Sequence, residues 1–267
     1  QTFKTDYNGP ILDWPRYRKV EESNEEIAEL KANYDALVGL CDAQLGRLLD
    51  DFDANDRWRD TALILTTDHG FMLSRHDWWA KNRMPCYSEI AHIPLFIHHP
   101  DLSKQAGTHV SSLTQSIDIM PTLLDMFGME AGSSVQGYSL LPLTAGSVEK
   151  VRKIALYGLF SGAINAVNGR YTYFRYPENM ETHNLFEYTL MPMHNRSLFE
   201  PHELQGVSLH QGFDFTKGAP VLRMTAKDDA KRPPLQGGGF AQTYTCLYDL
   251  ASDPGQTTPF RDPTIES

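Results

Sequence analysis

The chain has 267 residues, enough to bury a large core, and 41% hydrophobic and 22% charged residues are ordinary values for a globular protein. Peptide-scale and wholly disordered classes are excluded, and no apolar run reaches the ~20 residues that a membrane-spanning helix needs. The 24 Lys and Arg against 34 Asp and Glu give a net charge of -10, which disfavours broad contact with nucleic acid but allows a local basic pocket.

Cys41, Cys86 and Cys246 are scattered with no CxxC pair, so neither a disulfide framework nor a cysteine zinc site is suggested. The opening Gln1-Thr2-Phe3-Lys4 has no initiator methionine and no apolar signal core, so the sequence reads as a mature protein or a truncated chain and is silent on compartment.

Residues 1–22 carry Gly9-Pro10 and Trp14-Pro15 and read as irregular surface chain. Ser23 with Glu26 fits a capping box, and Ile27, Leu30, Tyr34, Leu37, Cys41, Leu45, Leu48 and Phe52 recur at helical spacing. This predicts one amphipathic helix of roughly 45 Å at ~1.5 Å per residue, with Tyr34 and Asp42 fixing it to a sheet. Residues 61–66 are apolar and β-prone without alternation, as expected of a strand buried on both faces. Residues 93–97 make a second such strand, with Pro94 confining it to an edge or a strand start. Asp118 reads as the cap of a short helix with Pro121 in its first turn and Gly128 past its end. This alternation predicts α/β architecture with a partly parallel sheet.

The character changes near residue 150. Residues 163–167 and 170–176 flank Asn168-Gly169, a strong hairpin signal, so an antiparallel sheet is expected in the C-terminal third. Residues 244–250 read as another strand, ended by Asp253-Pro254, and residues 177–239 read as long loops.

Asp68, His69 and Gly70 directly follow the first strand, at the kind of strand end where α/β sheets bind ligands. A hard carboxylate beside an imidazole can hold a divalent cation, and glycine lets the chain turn away. By itself the tripeptide reads more economically as a strand-to-loop turn with a capping aspartate. Arg75, His76, Lys81 and Arg83 follow within fifteen residues and outline an anion pocket in an acidic chain. A solvated loop with Trp78 and Trp79 on the core is an equal reading. For His92, His98 and His99 a surface arrangement is preferred to a second metal site.

The block Tyr34 … Asp42-Ala43-Gln44-Leu45-Gly46, Asp60-Thr61-Ala62-Leu63-Ile64-Leu65-Thr66-Thr67-Asp68-His69-Gly70, His76, Trp79-Ala80-Lys81 and Ile93-Pro94-Leu95-Phe96-Ile97 resembles the sulfatase family in order and spacing. Residues 116–124 and the closing Leu247-Tyr248-Asp249-Leu250 … Asp253-Pro254 are similar to its later part. The resemblance covers residues 34–142 well and 243–263 loosely, and 149–242 only in general character. It implies an α/β fold of the alkaline phosphatase superfamily: a mixed sheet flanked by helices, with a smaller C-terminal antiparallel sheet carrying one packed helix. Residues 1–150 would belong to the catalytic domain and 151–267 to an α+β subdomain with an antiparallel sheet and long loops.

Carried over by position, the resemblance implies Asp68 and His69 as ligands of a divalent metal, usually calcium, with manganese or zinc as alternatives. Lys81 falls on the lysine that holds a sulfate oxygen, His76 on a histidine facing the substrate as acid to the leaving alkoxide, and Arg83 among the specificity residues. The implied reaction is sulfate ester hydrolysis on a small molecule or saccharide, by attack of a hydrated formylglycine on sulfur. None of the three cysteines has Pro two positions on, as the Cys/Ser-x-Pro-x-Arg formylglycine motif requires, and the paired aspartates that complete the metal site have no counterpart. Both lie upstream in the family, so the chain by itself is expected to be inactive, and its uncovered apolar edges imply either self-association as a homo-oligomer or a proteolysis product. A phosphonate or phosphate ester hydrolase of the same superfamily is the alternative, and a non-catalytic binding module is a third reading.

Overall fold

The computed structural model describes residues 19–81, 84–158, 163–179, 182, 184–194, 196–225 and 244–266, so most of the predicted irregular opening lies outside the described residues. The first long element is α1 (Asn24–Ala54). Ser23 Oγ accepts from the Glu26 amide at 3.3 Å and the Glu26 carboxylate accepts from the Ser23 amide at 2.9 Å, the reciprocal cap that the sequence predicts. Tyr34 stacks on Phe71 at 5.9 Å and ties the helix to the chain beyond the first strand. Asp42 stays exposed, so the same anchoring expected of it is not seen. Much of the apolar stripe is uncovered, with Leu37 55% and Val38 51% exposed. No helix among the described residues is long and apolar enough to cross a membrane.

Strand β1 (Leu63–Thr66) pairs with β2 (Leu95–His98) in antiparallel register, Leu63 opposite His98 and Thr66 opposite Leu95. This corrects the expectation of a partly parallel, doubly buried sheet, since Phe96 is 63% exposed and no third strand joins the pair among the described residues. A continuous apolar run records a preference for cover on both faces, but strand direction is set by the connection. Here residues 67–94 fold back across the strand end and return the chain in the opposite sense. Pro94 immediately precedes β2, and its carbonyl accepts from the Thr66 hydroxyl at 2.8 Å, as a strand-start proline should allow.

The connection contains α2 (Ser88–Ala91), and after β2 come α3 (Ile119–Met126) and α4 (Leu141–Thr144). Gly128, at φ 64°, follows the last turn of α3, with Gly128 N bonded to Asp125 O and Met129 N to Leu124 O: a Schellman closure at the predicted glycine. Asp118 departs from its predicted role. Its side chain makes no cap to α3 but is fully buried and accepts from the Gln115 amide at 2.8 Å, the Tyr138 amide at 2.9 Å and Arg152 Nη2 at 2.5 Å, with Nη1 on the other oxygen. Burial alone would raise the carboxyl pKa. The guanidinium and the two amides overcome this and hold it below its ordinary 3.8.

Beyond residue 150 the described strands are β3 (Ala155–Gly158), β4 (Ile164–Val167), β5 (Tyr171–Arg175), β6 (Phe186–Thr189), β7 (Ser208–His210), β8 (Val221–Thr225) and β9 (Cys246–Asp249). The antiparallel order β3-β4-β5-β9 makes a four-stranded sheet, its central hairpin turning at Gly169 with φ 95°. Asn168 Oδ1 accepts from the amides of Arg170 and Tyr171 and closes that turn. Strands β6, β8 and β7 form a second antiparallel sheet where long loops are expected. Three to five residues per strand give too short a pattern for alternation to register, and the sheet depends on aromatic contacts such as Tyr188 with Phe213 at 5.1 Å. The single packed helix implied for the C-terminal sheet is not among the described residues, where only α5 (Pro263–Glu266) is helical beyond 150 apart from a short 3-10 turn. Phe174, Cys246 and Tyr248 of the four-stranded sheet pack against Met72, Trp78 and Tyr87, so this sheet backs the connection between β1 and β2.

Breaking the buried pair by Asp118→Asn should cost about 3 kcal/mol at pH 7, because Arg152 is left buried without its counter-charge. The folded pKa lies below the unfolded value of ~3.9, so the contribution is complete above that pH and is lost as the pH falls through the folded pKa. Urea unfolding of parent and variant should show a gap at pH 7 that narrows below pH ~4.

Candidate active site

Strand β1 delivers Thr67, Asp68 and His69 to a sharp departure at Gly70. The Gly70 amide donates to the Ile90 carbonyl at 2.9 Å, and a Cβ at this position would lie 1.7 Å from the Glu89 carbonyl oxygen. Glycine is therefore required by backbone contact with α2. The turn leaves the Asp68 side chain 79% exposed, with Oδ1 accepting from the His69 amide at 2.9 Å. Partial desolvation would raise the Asp68 pKa, but the His69 amide, the His69 ring and Lys81 outweigh it and hold the carboxyl below 3.8.

His69 Nδ1 donates to the Gly70 carbonyl at 2.8 Å, which places the proton on that nitrogen and leaves the Nε2 lone pair facing outward. Nε2 lies 3.2 Å from Asp68 Oδ2, and the Lys81 ammonium donates to it. Two acceptors converging at this separation repel unless a positive group stands between or beside them. A hard carboxylate oxygen and an imidazole lone pair suit a divalent cation, so the donor chemistry fits the metal implied by the resemblance. Asp68 and His69 make two donors, and among the described residues no group of three or more His, Cys, Asp or Glu converges on one point.

Lys81 returns to the strand end because the loop closes at its base, where the Met72 amide donates to the Ala80 carbonyl at 3.1 Å. Trp78 and Trp79 are buried, as the loop-packing reading expects, so the packed loop and the site lysine occur together. Two of the other expected cations lie beside Glu89. His76 stacks face to face on Tyr87, centroids 3.7 Å apart, with Nε2 3.9 Å from Glu89 Oε2; Arg75 Nε lies 3.9 Å from Glu89 Oε1. Burial pushes the His76 imidazole below its ordinary 6.5 against the pull of Glu89. The described contacts of His76 include neither Asp68, His69 nor Lys81, and Arg83 lies outside the described residues.

Glu89 is the polar partner that sequence reasoning missed, since a glutamate in a four-residue helix gives no signal of what it faces. His98 Nε2 donates to the Trp58 carbonyl at 3.2 Å and His99 Nδ1 accepts from the Asp101 amide, so both have structural contacts. Burial pushes the Cys86 thiol up to about 11, Cys246 is buried and Cys41 is exposed on α1.

Two family descriptions match the chain: Sulfatase over residues 11–129, and N-sulphoglucosamine sulphohydrolase, C-terminal, over residues 74–212. Arylsulfatase K of Homo sapiens is 33% identical over 132 residues, covering 49% of this chain and 24% of its own length. The chain thus spans about a quarter of that relative. A protein solved in complex with its substrate D-glucosamine-2-N,6-O-disulfate superposes with a TM-score of 0.56 at 20% identity, over 86% of this chain and 36% of that one, and shows the shared fold. The phosphonate monoester hydrolase of Silicibacter pomeroyi has a TM-score of 0.50 at 28% identity, over 58% of this chain and 34% of its own. The second family description extends across more than half of the residues and the fold agrees with it: the chain belongs to the sulfatase family, with the fold of the alkaline phosphatase superfamily.

Proposed function

We propose that this chain supplies part of the active site of a metal-dependent sulfate ester hydrolase, with Asp68 and His69 as metal ligands and Lys81 as the cation that meets the sulfate group. The observation that carries this is the meeting of the Lys81 ammonium with His69 Nε2, itself 3.2 Å from Asp68 Oδ2. Sulfatases generally use a divalent metal and a formylglycine, which supply charge stabilisation and the attacking oxygen when present. Calcium suits the exposed carboxylate, and His69 keeps manganese or zinc in contention.

The chain's own residues act by charge and position. Asp68 stays ionised well into acid because its pKa is lowered, and so remains a pure acceptor at neutral pH. The Gly70 carbonyl fixes the His69 tautomer with the Nε2 lone pair free of its proton. Lys81, as a compact three-donor charge, stabilises oxygens that gain charge as the ester bond breaks. A saccharide sulfate is the proposed substrate class, supported by the sulfated glucosamine bound by the structural relative. A phosphonate ester is the second reading, favoured by His69 and by the likeness to the phosphonate monoester hydrolase. Rates of the intact gene product on p-nitrophenyl sulfate and on a phosphonate monoester, side by side, separate the two.

In that gene product, Lys81→Ala should lower kcat on the preferred ester by about 100-fold or more. An unchanged kcat would remove Lys81 from the mechanism. The 267-residue chain alone, without a formylglycine motif, should not turn over p-nitrophenyl sulfate. Gly70→Ala forces the strand end away from Glu89, and calorimetric titration with Mn2+ or Ca2+ should show metal affinity reduced about 10-fold or more.

A further inference from the structure

Between the Asp68–His69 pair and Lys81 the backbone is left-handed at Leu73 (φ 47°), Ser74 (70°), His76 (51°), Asp77 (61°) and Ala80 (52°), none of them glycine. Each such residue costs on the order of 1 kcal/mol or more and persists only where the surroundings over-determine it. The loop that carries Lys81 is therefore held by something outside itself.

Some holding contacts come from residues 19–22, where the Val20 amide donates to the Asp77 carbonyl at 2.9 Å and Trp79 Nε1 donates to Glu22 Oε2 at 2.7 Å, and others come from the far end of the chain. The ring of His76 lies flat on Tyr87, at an interplanar angle of 2°. Tyr87 is the cap of α2, and the next amide, that of Ser88, donates to Gln256 Oε1 at 2.6 Å. Gln256 is 1% exposed and sits at φ 52°, another left-handed position with a side chain. Its Nε2 is buried with no hydrogen-bond partner, so the side chain is kept in place by the single acceptor bond from Ser88. A strained backbone and an orphaned amide nitrogen are tolerated at the same residue, which marks that bond as the reason for the position.

We propose that Gln256 is a positioning residue of the candidate active site: by gripping Ser88 it seats Tyr87 under His76 and fixes the left-handed loop that brings Lys81 to His69. The turn following β9 thereby controls a site that begins at the end of β1. The proposal rests on the reading of Lys81 given above and adds a residue remote from the charged cluster. Because Gln256 acts through Ser88, Tyr87 and His76, its loss misplaces Lys81 without removing any group that meets the ester.

The test uses three substitutions. Gln256→Met keeps length but not the acceptor. Ser88→Pro removes the donor at the first position of α2, where proline fits and Tyr87 already has the extended φ -63° and ψ 167° that precede it. Gln256→Glu keeps the acceptor and loses only the unpartnered nitrogen. In the chain, proton NMR of the His76 ring, shifted by its stack on Tyr87, should move toward the free-imidazole position in Gln256→Met and Ser88→Pro and stay in place in Gln256→Glu. In the intact gene product the first two should lose kcat on p-nitrophenyl sulfate about 10-fold with KM within about twofold, and Gln256→Glu should restore it. Parent-like His76 resonance and kcat in both Gln256→Met and Ser88→Pro would overturn the proposal. If Lys81→Ala retains activity, the site reading fails instead, and the His76 resonance still decides whether Gln256 seats the loop.

Discussion

The chain can leave β1 and pass beneath α2 only because residue 70 has no side chain. The Gly70 amide reaches the Ile90 carbonyl at 2.9 Å while the Glu89 carbonyl occupies the space a Cβ would need. This single approach sets the angle at which Asp68 and His69 leave the sheet. It also supplies the Gly70 carbonyl that accepts the hydrogen bond from His69 Nδ1–H, and so decides which imidazole nitrogen is free. The electrostatics of the cluster are downstream of a steric fact about the backbone.

Two arrangements of polar groups do different work in this molecule. Asp118 is fully buried and bonded to the Gln115 and Tyr138 amides and the nearly buried Arg152 guanidinium, so this pair joins residues 115, 138 and 152 with little freedom to respond to a ligand. Asp68, His69 and Lys81 are open on one side, and their mutual contacts leave charge facing solvent. A carboxylate 79% exposed contributes little to holding the fold, which frees it for binding. The four-stranded sheet stands behind both the loop and α2 through Tyr87, Phe174 and Tyr248, so the late part of the chain is the wall against which the early part is aligned.

Much of the local structure was legible in the residues themselves. The Ser23–Glu26 box, the Schellman glycine at 128, the strand start after Pro94 and the hairpin at Gly169 all occur where their residue types point. Asp68, His69 and Lys81 were picked out by their place after a strand and by family resemblance, and they do meet in space. The direction of β2 was not legible, because an apolar run looks the same to a parallel and an antiparallel neighbour. Nor was the sheet of β6, β7 and β8, whose strands are shorter than the window in which a period can be seen. His76 is placed at the site by its nearness in sequence and by family resemblance, and neither shows that its ring stacks on Tyr87 with Nε2 3.9 Å from Glu89.

The division follows from the range over which each interaction acts. Capping, tight turns and proline placement depend on a few neighbouring residues, so the sequence by itself determined the start of α1, the end of α3, the hairpin and the chemistry available at the end of β1. Contacts between distant segments depend on how whole elements pack. Ser88 meets Gln256 across 168 positions and Asn165 meets Cys86 across 79, and nothing near either residue announces the partner. Only the tertiary structure could show that Lys81 meets His69, that Arg75 and His76 lie beside Glu89, and that Gln256 meets the Ser88 amide. Those outcomes are set by the burial of aromatic rings between the sheet and the connection, a free-energy term summed over many residues at once.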